Sequence, residues 1–231
     1  MFFDPMYILL VLLPGLVLSG WASLRVKAAF NKYSRMRTST GLTGAQAAQM
    51  MLDRAGIHDV RVVATSGMLS DHYNPTNKTL NLSQDVYSSP SVAAVGVACH
   101  EAGHALQHAA DYKPMWLRSA LVPTANIGSS LGYIVMLGGL IFNAAGIVLL
   151  GAVLFSAVLL FQLVTLPVEF DATARAKRLA VEFGIIRPQE RQGMDKVLDA
   201  AALTYVAAAV STLLTLVYFL MRAGLLGGRS D

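Results

Sequence analysis

Charged residues and cysteine are what this chain has least of. Of its 231 residues only 14% are Asp, Glu, Lys or Arg, while 55% are hydrophobic, whereas a soluble domain carries roughly a quarter of its residues charged. The deficit is concentrated in three places: no charged side chain lies between Asp4 and Arg25, between Arg118 and Glu169, or between Asp199 and Arg222. Runs of that length are read as membrane spans, which excludes an ordinary soluble domain. Cys99 is the single cysteine, so an intramolecular disulfide is excluded and a thiolate-rich structural metal site is not expected. Although it adjoins His100, Cys99 reads as a small core residue rather than a ligand. Lys and Arg outnumber Asp and Glu by 18 to 14, but no basic and aromatic surface pattern accompanies the excess, so no nucleic-acid partner is expected.

The positive charges speak instead to topology. Tyr7 to Leu24 is about long enough to span a bilayer, and no basic residue precedes it, unlike a cleaved signal peptide. Arg25, Lys27, Lys32, Arg35 and Arg37 follow it, which places the N-terminus outside and the next segment in the cytoplasm. The fifty uncharged residues 119–168 would make a helix of about 75 Å against a hydrocarbon core of about 30 Å, so they must fold back. Asn143-Ala144-Ala145-Gly146 is the best turn, giving spans near Val122–Phe142 and Ile147–Leu166. Gly128 and Gly132 form a small-xxx-small pattern suited to close helix packing. Pro188 to Met221 begins polar and becomes a fourth span from about Ala200. Sixteen of the eighteen Lys and Arg then fall on the cytoplasmic side, leaving Arg222 and Arg229 outside.

Between the first two spans the pattern changes. Thr43 to Ala55 reads as an amphipathic helix with Gly56 past its end. Val60, Val62 and Val63 mark a strand, and Met68 to Leu82 a hairpin around Asn74-Pro75-Thr76-Asn77. An edge strand there could receive an extended peptide or simply cover the core.

His100-Glu101-Ala102-Gly103-His104 is the motif that carries chemistry. On a helix, residues four apart share a face, so two imidazoles can meet one ion with Glu101 beside them. Zinc lowers the pKa of bound water to about 7, and the glutamate takes the proton. The flanks from Ser91 to Cys99 and at Ala105-Leu106 are uncharged, which argues for burial, where polar groups need partners. Ser88 or Ser89 is the expected cap, with Pro90 at the first helical position. Asp111 and Pro114 mark the end, and Gly103 could admit another backbone.

A catalytic zinc takes three protein ligands and keeps one position open. Candidates for the third are His58, His72, His108, Asp71, Glu169 and Asp171. His108 lies about 12 Å along the helix from His100, too far to share its ion. Glu169 is favoured, because it follows a span directly, where an unpaired carboxylate would be costly. Asp171 is a candidate to orient an imidazole from behind.

These residues resemble the YugP-like neutral zinc metallopeptidases of bacterial membranes. The resemblance rests on Leu69-Ser70-Asp71-His72-Tyr73-Asn74-Pro75, Asp85-Val86-Tyr87, Cys99 to Gln107 around the histidines, and Leu166-Pro167-Val168-Glu169-Phe170-Asp171-Ala172. It covers nearly the whole chain. More distantly the chain is similar to the HtpX and CAAX prenyl proteases, but Thr173 stands where their motif places an aspartate. That leaves Asp171 or Thr173 to replace it. The resemblance implies one Zn²⁺ per chain held by His100, His104 and Glu169, with Glu101 as general base. His72, Tyr73 and Arg175 are candidates to stabilise the oxyanion.

The expectation is a mainly α integral membrane protein of the bacterial inner membrane, with four transmembrane helices and a cytoplasmic α+β zincin-like domain containing a small β-sheet. Its parts are span 1 at 1–24, the domain with the histidine helix at 25–118, a transmembrane hairpin at 119–168, cytoplasmic helices at 169–199, span 4 at 200–221 and a tail at 222–231. The expected activity is zinc-dependent endopeptidase, acting on a peptide or protein substrate, membrane proteins included. The alternative is a non-enzymatic membrane module with a structural zinc site, which a fourth protein ligand such as His72 or Asp71 would favour.

Overall fold

The computed structural model describes residues 4–67 and 70–226. Four helices are long and apolar enough to cross a membrane: α1 (Pro5–Tyr33), α5 (Lys113–Ile141), α6 (Ala145–Glu182) and α7 (Pro188–Arg222). Between α1 and α5 lie α2 (Gly44–Arg54), β1 (Arg61–Thr65), β2 (His72–Asn74), β3 (Thr79–Ser83), a single turn α3 (Gln84–Tyr87) and α4 (Val92–Ala109). The chain is therefore mainly helical with one small sheet.

It divides into two compact units. The first comprises residues 1–22, 116–166 and 204–231. Its interior is small and aromatic, built on Val11, Met136, Val148, Phe155 and Phe219. Its surface is the reverse of a soluble bundle, since Leu16, Val17, Ile134, Phe142 and Val153 are all exposed, as suits contact with lipid. The Gly128 and Gly132 pair does allow close packing. A Cβ at Gly128 would sit 2.4 Å from the Leu154 carbonyl oxygen, and one at Gly132 2.6 Å from the Phe155 nitrogen.

The second unit comprises residues 23–115 and 167–203. The Thr43 hydroxyl caps α2 by accepting from the Gln46 backbone amide, and the Gln46 side-chain oxygen accepts in turn from the Thr43 backbone amide, a reciprocal capping box. The buried face of α2, with Ala47, Ala48, Met51 and Leu52, shares one core with Leu80, Leu82, Val95, Ala98 and Ile185. The sheet order is β1-β3-β2, with β1 parallel and β2 antiparallel to β3. β2 and β3 form the hairpin foreseen around Asn74–Asn77; Met68 and Leu69, its expected start, lie outside the described residues. Asp71 holds the hairpin closed by accepting from the Ser83 amide and hydroxyl.

Two helix starts differ from expectation. The histidine helix is capped by Ser91, whose hydroxyl accepts from the Ala94 amide, and not by Ser88 or Ser89. Pro90 and Ser91 are held extended by pairing with residues 36–38: the Thr38 amide donates to the Pro90 carbonyl and the Val92 amide to the Met36 carbonyl. Helical geometry can begin only after that ladder. Glu169 does not open a helix after a span. It lies within the 38-residue α6, which runs through Pro167 without a break.

Candidate metal centre

α4 and α6 bring the chemistry together through one close crossing. The α4 face is almost wholly buried, with Cys99, Ala102 and Gln107 at 0% exposure. On α6, Glu169, Ala172, Thr173 and Ala176 are buried, a spacing that puts them on one helical face. Gly103 is where the two backbones meet: a Cβ there would lie 2.7 Å from the Ala172 carbonyl oxygen. The absence of a side chain lets α6 lie low enough for Glu169 to reach both imidazoles.

The His100 Nε2 atom is 3.2 Å from Glu169 Oε2, and His104 Nε2 is 3.5 Å from the same oxygen. The two rings are nearly perpendicular, at 82°, with centroids 4.8 Å apart. Among the described residues these three form the one group of His, Cys, Asp or Glu side chains able to hold a metal ion, their donor atoms all within 4.8 Å of one another. Tetrahedral bonds of about 2.0–2.1 Å from nitrogen and oxygen to zinc put neighbouring ligands roughly 3.3 Å apart, so the donor set fits that ion. No fourth such side chain among the described residues joins the group. His100 keeps 14% of its side chain exposed, so the cluster meets solvent on that side.

Each imidazole is held from behind by its other nitrogen. His100 Nδ1 lies 3.2 Å from the Thr173 hydroxyl, and His104 Nδ1 lies 3.0 Å from Gln107 Oε1. Both contacts leave Nε2 facing the cluster, the arrangement that tunes metal-binding histidines. Burial disfavours a second proton on His104, but its bond to Glu169 and the charges of Glu101 and Glu169 outweigh this and raise its pKa above the usual histidine value. Glu101 itself is buried at 8% exposure.

The other sequence candidates fall around the cluster in different ways. Thr173 takes the place behind His100. Asp171 touches no imidazole: its Oδ2 accepts from Gln107 Nε2 at 2.8 Å and from Arg175 Nε at 2.6 Å. Arg175 also lies over the Tyr112 ring, 5.7 Å from its centre. Tyr73 is a core residue whose hydroxyl is 2.7 Å from His108 Nδ1, which also accounts for His108. His72 is exposed, its Nδ1 2.7 Å from the Ser70 carbonyl oxygen. Cys99 faces the core, where burial pushes its thiol up to about 12. Gln107 lies outside the histidine motif, although its place one turn beyond His104 on an apolar helix signals a polar side chain in need of partners.

Comparison with known proteins agrees with this chemistry. A sequence profile of the family described as "Putative neutral zinc metallopeptidase" matches residues 7–224. The chain is 45% identical over 216 residues to the "Putative membrane protease YugP" of Bacillus subtilis (strain 168), covering 94% of this chain and 96% of that protein. No solved structure matches it. With four membrane-length helices, a donor set suited to zinc and a match over nearly its full length, the chain belongs to this neutral zinc metallopeptidase family.

Proposed function

We propose that the protein is a multi-pass membrane zinc endopeptidase in which His100, His104 and Glu169 bind one Zn²⁺ and Glu101 is the general base. The observation that carries this reading is the convergence of His100 Nε2, His104 Nε2 and a Glu169 oxygen, with both imidazoles braced through Nδ1. Zinc bound there supplies Lewis acidity for the substrate carbonyl and for the attacking water. Glu101, one residue from His100, takes a proton from that water and returns it to the leaving amine. Thr173 and Gln107 each contact one imidazole at Nδ1, which leaves its Nε2 turned toward the cluster. Glu169 adds a negative charge that balances the cation in a buried place.

The substrate is a peptide or protein, membrane proteins included, and β2, an outer strand of the sheet packed against α4, offers an edge for an extended chain. The sixteen positive residues between Arg25 and Lys196 support a zincin-like domain on the cytoplasmic face of the inner membrane, with both termini outside. Absence of a fourth His, Cys, Asp or Glu in the group among the described residues favours an enzyme over a structural zinc site.

The test is Glu101→Gln in the purified full-length protein. Zinc content should match the parent while peptide hydrolysis falls by at least about 10²-fold, the lower range for loss of a general base. A variant that cleaves at the parental rate would overturn the mechanism.

A further inference from the structure

The amide of Gln107 is fully buried, at 0% exposure, and every contact it makes is directional. Its Nε2 donates to the Val168 carbonyl at 2.7 Å and to Asp171 Oδ2 at 2.8 Å. A carbonyl and an ionised carboxylate can only accept, so both require the NH₂ end of the amide. The Oε1 end must therefore face His104, 3.0 Å from Nδ1, and an oxygen there requires that Nδ1 carry the proton. Asp171 is itself fixed by Arg175, whose Nε donates at 2.6 Å.

We infer that Gln107 is a positioning residue for the metal centre: anchored to Val168 and Asp171, it forces His104 into the tautomer that presents Nε2 as a lone pair beside His100 and Glu169. The inference rests on the proposed zinc site and adds to it a device that spans the α4–α6 crossing. Val168 is the neighbour of Glu169, so one amide ties the backbone beside the acidic ligand to the ring of a basic one. Both ligands are thereby held in register. Thr173 cannot serve this purpose on the other imidazole, because a hydroxyl rotates to donate or accept.

The experiment measures zinc dissociation constants by chelator competition for the detergent-purified full-length parent, Gln107→Leu and His104→Ala, alongside the thermal midpoint of each zinc-free protein. Gln107→Leu should weaken zinc binding by about 10–100-fold, the range for loss of a group that orients a metal-bound histidine. Its Co²⁺-substituted absorption spectrum should also change, because the ring is free to rotate. Should Gln107→Leu fail to fold, Gln107→Asn carries the same test, since its amide is one methylene too short to bridge Val168 and His104. Affinity within threefold of the parent, with an unchanged cobalt spectrum, in the variant that folds would overturn the inference while leaving the zinc site standing. A His104→Ala protein that binds zinc as tightly as the parent would instead overturn the zinc site.

Discussion

Replacing Gly103 by alanine tests whether the crossing of α4 and α6 creates the metal centre. Alanine is the better helix former by about 1 kcal/mol, so in isolation α4 would gain. Against this, the new Cβ would stand 2.7 Å from the Ala172 carbonyl oxygen, and ordinary contact begins at 3.4 Å. The obstacle is backbone on a buried helix, so relief requires the helices to part by about 0.7 Å or to rotate, at an overpacking cost of about 1–3 kcal/mol. The net change in zinc-free stability is then small, between about 0 and 2 kcal/mol. The effect on the site is large by comparison. Glu169 moves with Ala172, carrying its oxygen away from imidazole nitrogens now at 3.2 and 3.5 Å, and metal bonds tolerate only about 0.2 Å. Zinc affinity should fall at least tenfold, which at saturating zinc removes about 1.4 kcal/mol of ligand-linked stabilisation. Chelator competition gives the first quantity, and thermal unfolding with and without zinc gives the second. A Gly103→Ala protein that binds zinc like the parent would show that the close approach is incidental to the site.

Two further outcomes concern residues of α4. The raised pKa of His104 means that the zinc-free folded state holds this proton more tightly than the unfolded chain does. That contribution is complete below the unfolded value near 6.5 and is lost as pH rises through the folded one. Zinc must displace the same proton, so apparent zinc affinity should move the other way, rising by up to about tenfold per pH unit across that window; chelator titrations at several pH values check the sign, and a flat profile would refute it. Cys99 is fully buried with its thiol pushed up to about 12, so the folded protein should resist maleimide labelling at pH 8 and react promptly once denatured. Fast labelling of native protein would contradict its place in the core.

Local pattern was enough for whatever depends on one element at a time. His100 and His104 share a face because a helix repeats every 3.6 residues, wherever that helix sits. The uncharged runs from 5 to 24, 119 to 168 and 200 to 221 demand membrane-length helices by length alone. The hairpin at Asn74–Asn77 follows from turn chemistry. What depends on two elements meeting had no such signal. Ser91 became the cap because residues 36–38 hold Pro90 extended, a partner more than fifty positions away. Asp171 and Thr173 are two residues apart in the sequence, and the rotation of α6 turns Thr173 to His100 and Asp171 to Gln107. Gln107 is one polar residue on an apolar helix in the sequence, and only the folded chain supplies its partners His104, Val168 and Asp171. Spacing along the chain sets which side chains share a face, but only the packing of one helix on another sets what that face touches, and a metal site is made of such contacts.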